Sequence, residues 1–177
     1  MKIKERALMV DSIEIVVRDK YGNIKSKHTG RQSIWRKLSR LFKPNCITKF
    51  GMAGMASRAY QNSTVDPFIY MAIGDNNTAE TVNDSTLNNE VIRVSADCSR
   101  TDTDYTNDTT QYVHTFSKAN DASLTGFDTD VCEVGIFNDD TAGIMLLRKT
   151  WTPSDHCDWD GGDTIQITVK VQQKQGA

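Results

Sequence analysis

Residues 132–151 read CEVGIFNDDTAGIMLLRKTW and contain the pattern that decides the fold. Two short apolar runs flank NDDTAG at 138–143, a segment rich in residues that favour turns. The second run, GIMLL, is continuously apolar, which predicts a strand at the centre of a sheet or beneath a covering helix. The stretch therefore predicts two short strands separated by a polar turn.

The same pattern repeats from Phe68 to the C-terminal region. Strand-like segments with short apolar runs or period-two alternation are FIYMAIG, NEVIRVSA, TQYVHTFS, DVCEVGIF, GIMLLRKTW and DTIQITVKVQ. Strands at this spacing, separated by polar turns, favour a sandwich or small barrel over a parallel α/β sheet. We therefore predict a mainly β protein, an antiparallel β-sandwich of jelly-roll-like or immunoglobulin-like type, with an N-terminal β-hairpin and one or two short helices.

The N-terminal region predicts the hairpin. IEIVV at 13–17 and IKSKH at 24–28 flank DKYGN, where Gly22 and Asn23 can adopt the positive φ of a tight turn. A lone hairpin is only marginally stable in water. We therefore expect it to pair with another sheet edge, either of its own domain or of a neighbouring copy.

Residues 31–43, RQSIWRKLSRLFK, predict a short basic amphipathic helix that ends at Pro44. Its apolar face comprises Ile34, Trp35, Leu38, Leu41 and Phe42. Its basic face comprises Arg31, Arg36, Lys37, Arg40 and Lys43. We expect the apolar face to pack on the sandwich and the basic face to meet an acidic partner. Binding to a membrane surface is the alternative that such a pattern allows.

A second helix is predicted from about Thr48 to Gln61. The residues expected to form its packing face are Phe50, Met52, Met55, Ala56 and Ala59.

The net charge of −2 conceals a strong asymmetry along the 177 residues. Residues 1–50 hold 13 Lys and Arg against 4 Asp and Glu, whereas residues 51–177 hold 8 against 19. We accordingly predict a basic N-terminal arm, 1–46, and an acidic sandwich body, 47–177. This asymmetry indicates subunit assembly or nucleic-acid contact, although the basic segment could also fold back onto its own acidic domain.

The four cysteines, Cys46, Cys98, Cys132 and Cys157, are far apart and form no C-x-x-C motif. We expect reduced thiols and no cofactor. The chain contains no apolar run long enough for a signal peptide or a transmembrane helix. We therefore expect synthesis in a host cytoplasm and no membrane partner.

The densest polar cluster is DHCDWDGGD at 155–163. Asp158, Asp160 and Asp163 are weak candidates for a calcium site, because they only partly reproduce the alternating oxygen ligands of a calcium loop and the distal Glu is missing. An ordinary turn that bends at Gly161-Gly162 is the preferred interpretation, so we expect no metal site here.

Catalytic chemistry has little support in the sequence. The three histidines, His28, His114 and His156, belong to no recognisable catalytic motif. The glycines match neither G-x-G-x-x-G nor the P-loop. We therefore expect a protein that is not an enzyme and has no catalytic residues.

An ordered set of short pieces carries a resemblance that covers about two thirds of the chain. The pieces are Ile47-Thr48, Gly51-Met52, Tyr70–Gly74, Thr78-Ala79, Leu87, Asn89-Glu90, Glu133–Asn138, Gly143, Met145-Leu146 and Gly162–Ile165. In their order and spacing the chain resembles tailed-virus virion proteins, of phages or archaeal viruses, of the tail, tail-fibre or head-decoration type.

The resemblance implies a non-enzymatic β-rich subunit present in many copies on the virion, on the tail or the capsid surface. Its expected partners are copies of itself and other virion proteins, such as capsid or tail subunits, in a homo-oligomer. From charge and pattern, the residues expected to bind these partners are Arg31, Trp35, Arg36, Lys37, Leu38, Arg40 and Phe42.

Two alternatives come from other classes of protein. A receptor- or glycan-binding module would use Trp151 or Trp159 as a stacking platform beside the polar turns. A nucleic-acid-binding protein would use the basic helix to contact phosphates, although the acidic body would be repelled by the same phosphates.

Overall fold

The computed structural model describes residues 8–31, 46–59, 64–126 and 129–173. Within these ranges the chain forms ten strands and one helix. In chain order they are β1 (Leu8–Arg18), β2 (Ile24–Arg31), β3 (Cys46–Ile47), α1 (Lys49–Arg58), β4 (Tyr70–Gly74), β5 (Glu90–Ser95), β6 (Asp97–Thr101), β7 (Thr109–Phe116), β8 (Thr129–Phe137), β9 (Met145–Cys157) and β10 (Thr164–Gln173).

The strands form two antiparallel five-stranded sheets that share one apolar core. Sheet A has the order β2-β1-β10-β7-β6, and sheet B has the order β3-β9-β8-β4-β5. The chain passes from sheet B to sheet A between β5 and β6, at Ala96. The predicted mainly β, antiparallel sandwich with few helices is therefore confirmed.

The N-terminal hairpin is part of this sandwich. β1 lies between β2 and β10, and Ile13, Ile15 and Val17 are buried opposite Val169, Ile167 and Ile165. Each such side chain contributes about 1.5–3 kcal/mol by leaving water. At the turn Gly22 has a φ of +84°, whereas Asn23 does not take a positive φ. The hairpin thus pairs with a sheet of its own chain.

This pairing changes the predicted division of the chain. The boundary at residue 46 does not separate the hairpin from the body, because β1 is an interior strand of sheet A. The predicted amphipathic helix at 31–43 lies outside the described residues, apart from the backbone of Arg31 at the end of β2.

The six predicted strands of the body correspond to β4, β5, β7, β8, β9 and β10. Strands β3 and β6 were not predicted. β6 reads DCSRT and is largely exposed at the edge of sheet A, so it has no apolar alternation to reveal it.

Helix α1 is confirmed, but its predicted packing face is correct only for Met55, which packs against the core. Thr48 caps the helix by accepting a hydrogen bond from the Gly51 N–H at 2.9 Å, and its own N–H donates to the Leu146 carbonyl at 3.0 Å. The side that meets the sandwich contains Gly51 and Gly54, whereas Phe50 and Met52 are exposed. Glycines were needed here because the helix backbone lies directly against β9.

Replacement of Gly51 by alanine tests this contact. A Cβ atom at Gly51 would lie 2.4 Å from the Leu146 carbonyl oxygen and 2.5 Å from the Leu146 Cα. These are backbone atoms that cannot rotate away. We expect Gly51→Ala to lower the free energy of unfolding by about 1–3 kcal/mol, although alanine favours a helix by about 1 kcal/mol.

Urea unfolding measures the change. Gly30→Ala is the matched control, because nothing lies within 4 Å of a Cβ atom built there. A Gly51→Ala protein as stable as the Gly30→Ala protein would contradict the close packing of α1.

Candidate functional site

The predicted partner-binding residues come directly after the edge strand β2 in the chain. Trp35, Arg36, Lys37, Leu38, Arg40 and Phe42 lie outside the described residues, and only the backbone of Arg31 is described. The flanking strands fix where the segment is attached. Residues 32–45 connect β2, at one edge of sheet A, with β3, at one edge of sheet B. β1 and β3 lie close together, so the segment leaves and returns on the same side of the sandwich.

The three weak metal candidates make separate contacts. Asp158 accepts the Gly161 N–H, Asp160 contacts the Lys118 ammonium at 2.6 Å, and Asp163 pairs with Lys25. Across the part of the chain that the structure describes, no group of three His, Cys, Asp or Glu residues is arranged to hold a metal ion. The segment 158–163 is a turn, and Gly162 has a φ of +92° within it.

All three histidines contact an aspartate. The pairs are His28 with Asp155, His114 with Asp121 and His156 with Asp130, with nearest N···O distances of 3.1, 3.1 and 2.5 Å. The first two aspartates are buried, whereas the third pair is exposed.

Asp155 joins the two sheets. Its carboxylate accepts hydrogen bonds from Ser26 Oγ at 2.5 Å and from Trp151 Nε1 at 3.0 Å, and it contacts His28 Nε2 at 3.2 Å. Ser26 and His28 belong to β2 of sheet A, and Asp155 and Trp151 belong to β9 of sheet B. Ser26 donates to the acid, so this arrangement differs from a catalytic triad, in which the serine donates to the histidine.

The most deeply buried charges lie on the outer face of sheet B. Glu133 on β8 is 0% exposed and Arg148 on β9 is 1% exposed. Arg148 Nε donates to Glu133 Oε2 at 2.8 Å, and Nη2 approaches the same oxygen at 2.7 Å without hydrogen-bond geometry. Arg148 Nη1 also donates to Asp84 at 3.0 Å.

This ion pair holds the segment 75–89 against sheet B. Glu133 accepts the backbone N–H groups of Asn88 at 3.3 Å and Asn89 at 3.0 Å. Leu87, between these contacts and Asp84, packs with Phe137 in a small apolar cluster on the same face. The network therefore fixes a loop to a sheet.

A second buried contact continues the network. The Glu80 carboxylate accepts hydrogen bonds from Lys149 Nζ at 2.8 Å and Thr150 Oγ1 at 2.6 Å. Burial raises the pKa of Glu80, but these hydrogen bonds outweigh it and leave the pKa below its ordinary value of 4.5. Glu80 is therefore held in its charged form.

The buried ion pair was not predicted, although the sequence contains a signal for it. Glu133 and Arg148 are charged residues inside apolar runs, CEVGIF and MLLRKTW. Charges in such runs are buried only when they are paired. The strand register then brings the two charges together. Arg148 lies opposite Gly135, which is two positions from Glu133 on β8 and therefore on the same face of the sheet.

Glycines let the segment approach the sheet closely. A Cβ atom at Gly74 would lie 2.4 Å from the Asn89 carbonyl oxygen, and one at Gly135 would lie 3.0 Å from Leu87 Cδ2. Several pieces that carried the resemblance, including Tyr70–Gly74, Asn89-Glu90 and Glu133–Asn138, therefore meet around this network.

Cys98, Cys132 and Cys157 are free cysteines. Burial raises the pKa of Cys132 to about 11 and that of Cys157 to about 12, and nearby carboxylates add to the effect. Cys98, on the edge strand β6, is exposed, and its pKa is also raised by partial burial. Thiols with raised pKa values are poor nucleophiles.

The proposed stacking platforms are buried. Trp151 is 9% exposed and Trp159 is 1% exposed. A glycan could not lie on either ring without opening the core, so the prediction of a stacking role for these two residues is wrong.

The chain matches no protein-family model, no curated protein and no solved structure. Within residues 8–31, 46–59, 64–126 and 129–173, no helix is long and apolar enough to cross a membrane.

Arg148→Met tests the buried ion pair. The substitution leaves the Glu133 charge buried without its cation, and we expect a loss of about 3–5 kcal/mol in the free energy of unfolding. Glu133→Gln/Arg148→Met should recover part of this loss, because Gln is neutral and its carbonyl oxygen still accepts a backbone N–H. Urea unfolding of wild type, both single variants and the double variant gives the coupling energy.

The exposed pair Lys27–Glu14 supplies the control. Both side chains are 48% exposed, so Lys27→Met should cost less than about 1 kcal/mol. If Arg148→Met costs no more than Lys27→Met, the buried pair does not hold the loop.

The lowered pKa of Glu80 predicts a dependence of stability on pH. A carboxylate with a lowered folded-state pKa stabilises the fold fully above its unfolded pKa, and this contribution is lost as pH falls through the folded pKa. We expect wild type to lose more stability than Glu80→Gln between about pH 5 and 3. Unfolding in urea across this range measures the difference, with exposed Glu14→Gln as the control. If the free energies of unfolding of wild type and Glu80→Gln change in parallel with pH, the predicted contribution of Glu80 is wrong.

Proposed function

We propose that the chain is a non-enzymatic structural subunit of a tailed-virus particle. It is made in the host cytoplasm and is present in multiple copies on the tail or the capsid surface. It contacts neighbouring subunits, both copies of itself and other virion proteins, through its basic N-terminal segment. The resemblance described above supports the virion assignment, and the following features support a role in assembly.

The observation that carries the proposal is that the polar side chains of the body are used to order its own loops. Asp108 accepts the backbone N–H groups of Thr103, Asp104 and Tyr105 and the side-chain N–H of Gln172. Burial raises the pKa of Asp108, but these hydrogen bonds outweigh it and hold the pKa well below its usual range.

Other loops are ordered in the same way. Asp139 accepts the N–H groups of Thr141 and Ala142, and Asp19 accepts those of Tyr21 and Asn23. A body whose loops are already ordered loses little conformational entropy when it joins a lattice. Such a body suits a subunit that is repeated many times.

Charge supports a contact between copies. Residues 32–45 contain the four basic residues Arg36, Lys37, Arg40 and Lys43 and no acidic residue, whereas residues 51–177 hold 8 basic residues against 19 acidic ones. The basic segment of one copy can therefore attract the body of the next. Because β2 and β3 hold the two ends of the segment, it is not a free arm.

Charge reversal in the segment tests the proposal. Deletion of residues 1–43 would be a poor test, because it removes the edge strand β2 and the interior strand β1 from sheet A. We expect the purified wild-type chain to form a discrete oligomer at low salt that dissociates at high salt, since opposite charges are screened. Arg36→Glu/Lys37→Glu/Arg40→Glu should be a folded monomer. Light scattering measures the mass.

Lys20→Glu/Arg100→Glu is the control, because both side chains are exposed and lie outside the segment. The control should assemble like wild type. A wild-type chain that is monomeric at every salt concentration, or equal loss of assembly in both variants, would contradict self-assembly through the segment. Salt-dependent binding of DNA that the triple variant loses would favour the nucleic-acid alternative.

A further inference from the structure

Helix α1 has an exposed face with four apolar side chains and the exposed Lys49 at its N-terminal end. Phe50 is 41% exposed and Met52 is 40% exposed, and Ala53 and Ala56 are also exposed. The opposite side of the helix, with Gly51 and Gly54, is buried against the sandwich. A helix that is apolar on both sides is typical of one that is covered on both sides.

The exposed face has small residues along its centre and larger ones beside them. At about 100° per residue, Ala53 and Ala56 lie at its centre, and Phe50 and Met52 lie on its two flanks. Small residues at the centre permit close approach of another helix. Val82, 56% exposed, extends the apolar surface at the start of the helix, where its carbonyl accepts the Lys49 N–H at 2.8 Å.

We propose that this face is the docking site for residues 32–43 of the same chain. The position of the segment supports this occupant. The chain resumes at Cys46, three residues before the start of α1 at Lys49. A connection from Lys43 to Lys49 has the length usual between two packed neighbouring helices, about 2–8 residues.

The sequence pattern of the segment also fits the face. Its apolar positions, Ile34, Trp35, Leu38, Leu41 and Phe42, recur at helical spacing. The exposed face of α1 offers an apolar partner for that stripe, with Lys49 and Arg58 near its ends. Docking through the stripe turns Arg36, Lys37 and Arg40 toward solvent. The docking does not rest on the proposed function, because it is argued from the exposed face of α1, the position of the segment and its apolar stripe.

Hydrogen exchange of the full-length chain, followed by mass spectrometry, tests the docking. We expect the amides of residues 34–42 to exchange at least about ten-fold more slowly than in the isolated peptide. In Ala53→Glu/Ala56→Glu this protection should be lost, because two charges then occupy the centre of the face. Both alanines are exposed and Glu is a good helix former, so the sandwich should remain folded, which protection of the β10 amides reports.

Two controls accompany this variant. Ala53→Ser/Ala56→Ser keeps the small side chains and should retain protection. Val91→Glu places a charge at an exposed apolar residue of β5, on the opposite edge of sheet B, and should also retain it. Exchange of residues 34–42 at the rate of the isolated peptide would overturn the proposal. So would protection that survives Ala53→Glu/Ala56→Glu, and so would protection lost on dilution, which would assign the face to a second copy.

Discussion

The pairing of β8 with β9 is the constraint on which the rest of the structure depends. On the inner side of sheet B these strands supply Val134, Ile136 and Leu147 to the shared core. On the outer side the same strands place Glu133 within hydrogen-bonding distance of Arg148. One strand pair therefore fixes both the sandwich and the position of the segment 75–89. A buried ion pair adds little net stability compared with an apolar pair of the same size. We infer that its contribution here is specificity, because Asp84 contacts Arg148 and the Asn89 N–H contacts Glu133.

The architecture could be predicted from the sequence because most strands bury one face. β10 shows this clearly, since Ile165, Ile167, Val169 and Val171 alternate with polar residues and are all buried. β6 could not be found in this way, because an edge strand with polar side chains has no apolar periodicity. The prediction of the packing face of α1 was largely wrong for a different reason. Large apolar residues usually mark the buried side of a helix, but here the backbone itself packs against Leu146, so glycine marks it.

The polar contacts were harder to predict than the strands. A sequence gives the type of a side chain but not its partner, and Asp155 reaches Ser26 and His28 from a different sheet. Glu133 and Arg148 were detectable as charges inside apolar runs, yet their pairing depends on the register of β8 and β9. The predicted partner-binding residues lie in a segment with a clear amphipathic sequence pattern. The structure adds that β2 and β3 hold the two ends of this segment.

This tethering changes the physical picture of assembly. A free arm could reach a distant neighbour and would gain affinity by ordering along it, at a large cost in entropy. A segment whose two ends are fixed by β2 and β3 has less reach than a free arm. The sandwich is itself acidic, and the same basic charges that attract a neighbour also attract the body to which the segment is tied. The docking that we propose on α1 would resolve this competition, because the apolar stripe of the segment would be held there and the basic side chains would stay available to a second acidic surface.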